Sequence, residues 1–397
     1  MIKKISLNLV IILFILPLGS AAHYIVGIVE NAKDGTSANG QSIVLWNPAI
    51  GIQENVSDII GPAGNSRTNN IYMIDCELLP SGCNVTNTLS LKGINNGDNY
   101  ISQEKNVSVG GFGYDIVENI TLNSPPNITL VNVDDSITSP QNEIDLIPAE
   151  TKEVICSAII YEYEGEESLI NATGRFFDNV QSNYDSLEDN NEHYRNNSCL
   201  IDKNYGGVNE AAVYCSFYIW YYSNSENWNC TIEVTDNLSI SSRGSDLSFI
   251  NPLLALGVES IVTFNLTKSD ITDEAILDVT NYGNVKINLS LSGYAFEQND
   301  GLAMNCSEGE IRNISVENEK YNLTNSNSGD ITLEEFMMSY KNLTSYPTVN
   351  KFNLEYRKDD LLNEATKSTY WRIHVPDGIT GNCQGNIVFG AVRAPGD

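Results

Sequence analysis

The 397-residue sequence holds only three histidines, His23, His193 and His374, and its eight cysteines form no CxxC. A zinc site gathers four nitrogen or sulfur ligands, so this inventory leaves little to build one from. No GxSxG, HExxH, P-loop or dinucleotide fingerprint occurs, which removes the local signatures of serine hydrolases, zincins and nucleotide-binding folds. Positive charge is also scarce. Lys and Arg number 22 against 51 Asp and Glu, for a formal net charge of −29. Such a chain repels nucleic-acid phosphates and anionic lipid surfaces, so no nucleic acid is expected as a partner. After the first 22 residues no apolar run approaches the roughly 20 residues of a membrane-crossing helix, and no transmembrane span is expected there.

What the chain does have starts at its N-terminus. MIKKISLNLVIILFILPLGSAA places Lys3 and Lys4 before an apolar stretch and small residues after it. This is the layout of a secretory signal peptide over residues 1–22, cut after Ala22. The expected location is extracellular or at the cell surface. An even number of cysteines behind such a leader reads as disulfides. Cys76 and Cys83 bracket a short loop, and Cys199 and Cys215 can close an excursion. That leaves Cys156 with Cys230 and Cys306 with Cys383.

Alternation dominates the remainder. In VKINLSLS, Val285, Ile287, Leu289 and Leu291 point one way and Lys286, Asn288, Ser290 and Ser292 the other. In WNCTIEVT, Trp228, Cys230, Ile232 and Val234 are the inward set, and IVTFNLT and YDIVENITL repeat the pattern. Period two marks half-buried strands, so the expected class is all-β, in tandem β-sandwich domains. The one helical candidate is DITLEEFMMSYKNL, where Leu333, Phe336, Met337 and Tyr340 share a face.

Asparagine is abundant, at 50 residues. Fifteen N-x-S/T sequons follow: Asn55, Asn84, Asn106, Asn119, Asn127, Asn171, Asn196, Asn229, Asn237, Asn265, Asn288, Asn305, Asn313, Asn322 and Asn342. The middle residue is Val, Ile, Leu, Ala or Cys in fourteen of the fifteen. Strand alternation with polar outer residues would generate such triplets unaided. Each is also a candidate glycan acceptor, and several are expected to be glycosylated.

Turn-rich shifts at Leu122–Asn127 and Ser241–Ser248 divide the chain into segments 23–123, 124–246 and 247–397. The first opens HYIVGIVENAKDGTSANGQSIVLWNP, with Gly27, Asp34, Gly35 and Gly40 at turn-like positions and IYMID, NTLSLKG and GGFGY following. It resembles the prealbumin-like β-sandwich of carboxypeptidase regulatory-like and Cna-B-like modules. The second resembles an immunoglobulin-like sandwich, through EVICSAIIYEY and WNCTIEVTDN. That resemblance implies a Cys156–Cys230 bridge, with Trp220 as the candidate core aromatic. Trp228 stands where antibody domains carry Tyr. The third segment, with VTNYGN and YWRIHVPDGITGNCQGNIVFGAV, reads as a C-terminal β-sandwich. As a whole the chain is similar to secreted archaeal multi-domain envelope proteins.

Chemistry is thin. No catalytic residue and no metal ligand is singled out, and an enzyme is not expected. The adjacent acids Asp134/Asp135, Glu166/Glu167, Glu334/Glu335 and Asp359/Asp360 would point to opposite strand faces, unlike a glycosidase pair. If any ion binds it is calcium, at Asp185, Glu188, Asp189 and Asn191; otherwise no cofactor is expected. The stretch Tyr214–Tyr222 (YCSFYIWYY) is apolar on both faces, which reads as a central strand packed between layers or as an exposed aromatic patch. The leading expectation is a non-enzymatic structural or adhesion protein whose partners are other envelope proteins or glycans. The alternatives are a self-associating filament subunit that donates the HYIVGIV strand, or a substrate-binding accessory of a secreted hydrolase.

Overall fold

The computed structural model describes residues 22–94, 97, 100–111, 113–135, 142–266 and 270–395. The expected leader lies outside the described residues except for Ala22, as does Phe112 of the GGFGY bend. Over the described residues the fold is nearly all β, in seven sheets. Among the described residues the one α-helix is Leu333–Ser339, and no helix is long and apolar enough to cross a membrane. By spatial proximity the chain divides into two compact units. One takes in the chain up to Asn127 with Tyr161–Ile170 and Thr235–Ser242; the other comprises Ile128–Ile160, Asn171–Val234 and Arg243–Asp397.

In the first unit, the strand Tyr24–Glu30 lies between Ile71–Asp75, which is antiparallel, and Tyr114–Ile116 and Ile120–Thr121, which are parallel. A second sheet runs Asn55–Ile59, Ser42–Trp46, Thr88–Ile94, Lys105–Ser108. Ile25, Val29, Tyr72 and Ile74 from the one and Ile43, Leu45, Leu89 and Leu91 from the other share a single core. HYIVGIV is therefore the central strand of its own sheet. Both of its edges are paired, so it has none to offer a neighbour, which corrects the strand-donation reading. Gly27 is also not a turn residue. It sits mid-strand opposite Tyr72, and a Cβ there would come within 2.4 Å of the Tyr72 hydroxyl. Gly35 and Gly40 do occupy turns, at φ +86° and +92°, which glycine adopts without steric cost.

The second unit holds two groups of sheets. One group faces a five-stranded sheet (Glu143–Ile144, Ser241–Ile250, Asn227–Asp236, Leu169–Asp178, His193–Asn196) with a four-stranded one (Leu200–Asp202, Glu210–Trp220, Thr151–Tyr161, Asn127–Asp134). Cys156 and Cys230 join them. Phe176 contacts Phe217 across the gap, with ring centroids 5.8 Å apart, and Trp228 at 4.9 Å. Trp228 is fully buried, on the same inward face as Cys230. Trp220 turns outward, so the core aromatic is Trp228 and the expectation for Trp220 is corrected.

The other group contains the sheet Leu256–Val258, Ala275–Asn281, Thr366–Ile373, Glu319–Asn322, Lys341–Asn342 and two three-stranded sheets. These are Thr348–Leu354, Ile287–Tyr294, Asn386–Arg393 and Asn313–Ser315, Leu302–Gly309, Ile379–Gln384. Cys306 pairs with Cys383, Cys199 with Cys215 and Cys76 with Cys83; among the described residues no cysteine is free. IVTFNLT forms no strand over its described residues, although Val262 and Phe264 still pack on the core. The VKINLSLS strand buries both faces: Asn288 and Ser292 are nearly as enclosed as Leu289. Asn288 Oδ1 accepts the backbone N–H groups of Phe352 and Asn353, at 2.8 and 3.0 Å, beside a register shift in the adjoining ladder. In the helix, a capping box between Thr332 and Glu335 fixes the start. Only Phe336 and Tyr340 point inward, while Leu333 and Met337 are exposed.

The Cys156–Cys230 bridge closes a 74-residue separation. In the chain-entropy picture it contributes about 4 kcal/mol by restricting the unfolded chain. Urea unfolding of the Cys156→Ala/Cys230→Ala variant is expected to show a loss of that order. A loss under ~1 kcal/mol would place the stability of this pair of sheets elsewhere.

Candidate functional site

Alternation along Glu210–Trp220 sends Cys215, Phe217 and Ile219 into the core and leaves Tyr214, Ser216, Tyr218 and Trp220 on the other face. The strand is interior to its sheet, yet that outer face is uncovered. Tyr218 is 62 % exposed and Tyr214 37 %. Leu200, the cross-strand partner of Tyr214, is 65 % exposed. The stretch is thus apolar on both faces with only one of them packed. The reading of a strand enclosed between two layers is corrected.

Around Tyr218 lies an open cleft of about 360 Å³ lined by Glu188, Asn190, Arg195, Asn196 and Ser198. Arg195 is held by the backbone oxygen of Asp185 at 3.0 Å and by that of Ser186, while its Nε is enclosed without a partner. Beside Tyr214 a smaller cleft of about 140 Å³ is lined by Tyr205, Leu130 and Ile159. An exposed ring next to a guanidinium, amides and a carboxylate offers a flat apolar surface with polar groups at its margin.

The end of this strand is firmly held. Tyr222 donates to Asp360 at 2.6 Å, and the Arg357 guanidinium lies over its ring at 4.6 Å. Tyr221 donates to Glu364, which also accepts from Arg357 at 3.1 Å. Burial, with the adjoining carboxylates, pushes both phenols well above the ordinary tyrosine value. Asn284 donates to the Ser223 and Asn251 carbonyls, at 2.9 and 3.2 Å, and accepts from Leu253 N–H at 2.7 Å. None of this was visible in the sequence, since the partners lie more than a hundred residues apart or on loops without pattern.

Two of the four calcium candidates, Asp189 and Asn191, have their side chains engaged by the fold. Asp189 Oδ1 accepts from the N–H groups of Asn191, Glu192 and His193, at 3.1, 2.6 and 3.0 Å. Asn191 is buried and its amide donates to Tyr222 O at 2.7 Å. Asp185 N–H bonds Asn183 Oδ1 at 3.0 Å, and Glu188 lines the Tyr218 cleft. Among the described residues no set of three or more His, Cys, Asp or Glu is gathered to hold a metal.

His193 does not sit in a polar loop. It opens the strand His193–Asn196, fully buried and stacked on Phe177 with centroids 5.6 Å apart. Its Nδ1 meets Ser182 at 3.1 Å, and its Nε2 has no partner. Burial, with Arg195 and Arg175 nearby, lowers its pKa to about 4. His23 bonds Asp115 at 2.8 Å, and His374 faces Asn318 at 3.3 Å. Of the adjacent acids, Asp135 pairs with Lys152 at 3.1 Å, Glu335 caps the helix and Asp360 holds Tyr222.

Ten of the sequon asparagines are exposed: Asn55, Asn84, Asn106, Asn119, Asn127, Asn171, Asn237, Asn265, Asn313 and Asn342. Asn196, Asn229, Asn305 and Asn322 are half-buried. Asn288 is only 6 % exposed. It is the buried one among the sequon asparagines, with its Oδ1 bound to the N–H groups of Phe352 and Asn353.

No protein-family model matches the chain, and no curated protein matches it. Among solved structures it is similar to the major pilin subunit BcpA of Bacillus cereus, in a singly substituted form, at 9 % identity and TM-score 0.32, over 68 % of this chain and 76 % of that one. It is also similar to the full-length major pilin SpaD of Corynebacterium diphtheriae, at 7 % identity and TM-score 0.28, over 94 % and 87 % of the two chains. A tetra-tandem repeat in the extending region of a large adhesion protein aligns at 9 % identity and TM-score 0.24, over 94 % and 74 %.

The buried imidazole has a measurable consequence. Its folded pKa lies below the unfolded value, so the unfolded chain takes up a proton that the native state refuses. Stability from this group is complete above about pH 6.5 and falls as the pH drops toward about 4. His193→Phe should flatten that part of the pH–stability curve by up to ~3 kcal/mol in urea unfolding between pH 7 and 4. An unchanged slope would contradict the burial of His193.

Proposed function

We propose that the chain is a non-enzymatic, secreted structural or adhesion protein of the cell surface, built from a prealbumin-like or Cna-B-like module (23–123), an immunoglobulin-like module (124–246) and a C-terminal β-sandwich (247–397) behind a cleaved leader. Its outer face binds glycans. The carrying observation is the uncovered Tyr214–Tyr218 face beside Arg195 and Glu188. Sugars present C–H faces that stack on aromatic rings and hydroxyls that bond charged and amide groups. Four disulfides and a strongly acidic surface suit an oxidising, extracellular setting. Asp135, Glu335 and Asp360 of the adjacent acids, with His23 and His374, are engaged by neighbouring groups, which supports a role without turnover. Glycosylation at the exposed sequons belongs to the same reading, as do other envelope proteins as neighbours.

The test is binding of the purified protein to a glycan array and to intact cells. Tyr218→Ala, alone and with Tyr214→Ala, should lower glycan binding by at least roughly tenfold, since truncating a central exposed aromatic costs on the order of 2 kcal/mol. The melting temperature should change little, because both rings face water. Wild-type protein that binds no glycan, or a double variant that binds unchanged, would reject this surface as the adhesive one.

A further inference from the structure

The sheet containing Glu319–Asn322 and the sheet edged by Asn386–Arg393 leave an open cavity of about 520 Å³. That is within the usual range of small-ligand sites. Its walls include Val258, Val262, Phe264, Leu277 and Phe389, and the exposed Glu259 also lines it. Glu319 lines the same cavity at 1 % exposure, and its Oε1 has no hydrogen-bond partner. A buried carboxyl without a donor is costly and calls for an explanation.

Among the described residues no neighbouring cation supplies one. Lys320 and Arg372 form the next rung of the ladder, and alternation turns them to the opposite face. There Lys320 donates to Asn342, with Nζ 5.3 Å from the Phe336 ring centroid. Arg372 donates to the Tyr340 hydroxyl and to the Thr272, Asn327 and Gly329 carbonyls. Among the described residues lining the cavity the other ionisable side chain is Glu259, because Cys383 is tied in its disulfide.

We propose that this cavity binds a primary aliphatic ammonium, with its alkyl chain against the apolar walls and its charge on Glu319. Calcium takes six to eight oxygens, and among the described residues no three His, Cys, Asp or Glu gather to hold a metal. An alkylammonium needs one anion and an apolar sleeve, and it brings the donors that Oε1 lacks. The ammonium can come from a free amine or from a lysine side chain of a partner polypeptide.

Burial holds the Glu319 carboxyl up at about 8, so it is protonated at neutral pH and must release a proton to pair with the ligand. Affinity should therefore rise roughly tenfold per pH unit up to about pH 8, then level off while the amine stays charged. Calorimetric titration of the full-length protein with n-hexylamine and with Nα-acetyl-lysine N-methylamide, across pH 6 to 8, tests this. Tighter binding of hexylamine assigns a free amine, and tighter binding of the blocked lysine assigns a protein side chain. Glu319→Gln is expected to keep the fold and lose at least ~tenfold in affinity at pH 8. Val262→Phe, which narrows the cavity with the carboxyl intact, should cause a similar loss and serves if Glu319→Gln does not fold. Failure of both probes to bind at ~10 mM, affinity independent of pH, or full binding by both variants would overturn the proposal.

Discussion

Two sheets that face each other force every strand between them to divide its side chains between a dry side and a wet one. In the group joined by Cys156 and Cys230 this division runs along the middle of the strands, while the ends, such as Ala211–Val213 and Phe176–Asp178, are buried on both faces. Trp228, Phe176, Phe217, Ile219 and Val234 are inside, each within 3 % of complete burial. At about 25 cal/mol per Å² of apolar surface, each such side chain contributes on the order of 2 kcal/mol. A slip of one residue would exchange the two faces and forfeit that burial. The bridge adds a covalent limit to the same choice, because a slipped strand would carry its cysteine to the wrong side.

The outer face inherits its character from this constraint. Once Cys215, Phe217 and Ile219 are inside, Tyr214, Tyr218 and Trp220 must be outside, whatever their hydrophobicity. The strand end is then fixed by Tyr221 and Tyr222 on Glu364 and Asp360, with Arg357 between them. The rings of Tyr214 and Tyr218 consequently stand on a rigid element, where little order has to be created when a ligand arrives. In the polar loop before His193, Asp189 turns the chain into the next strand through the three N–H groups that its Oδ1 accepts.

The all-β class was readable because alternation is a local property, and WNCTIEVT shows its phase directly. The sequons illustrate the same physics. In nine of the fifteen the middle residue is buried, as with Val107, Ile120, Ala172 and Leu343. What sequence could not supply was context from the partner strand. Asn288 looks outward-facing by phase, yet a register shift opposite it draws its amide inward to two unpaired N–H groups. Trp220 and Trp228 are equally aromatic, and only the placement of Cys230 on the inward face of its own strand separates them. In the candidate site, the aromatic run was legible as a motif, but which face stayed uncovered depended on how the sheets close. Arg195, the Tyr222–Asp360 contact and the buried Glu319 carried no pattern at all.

Hydroxyl-radical footprinting of the native protein, read by peptide mass spectrometry, measures the inside–outside division residue by residue. The account predicts fast oxidation of Tyr218, slower oxidation of the partly shielded Tyr214, and protection of Trp228, Phe176 and Phe217 until the chain unfolds. Rapid oxidation of Trp228 with protection of Tyr218 would mean that the strands present the opposite faces, and the core and the proposed binding surface would both be contradicted.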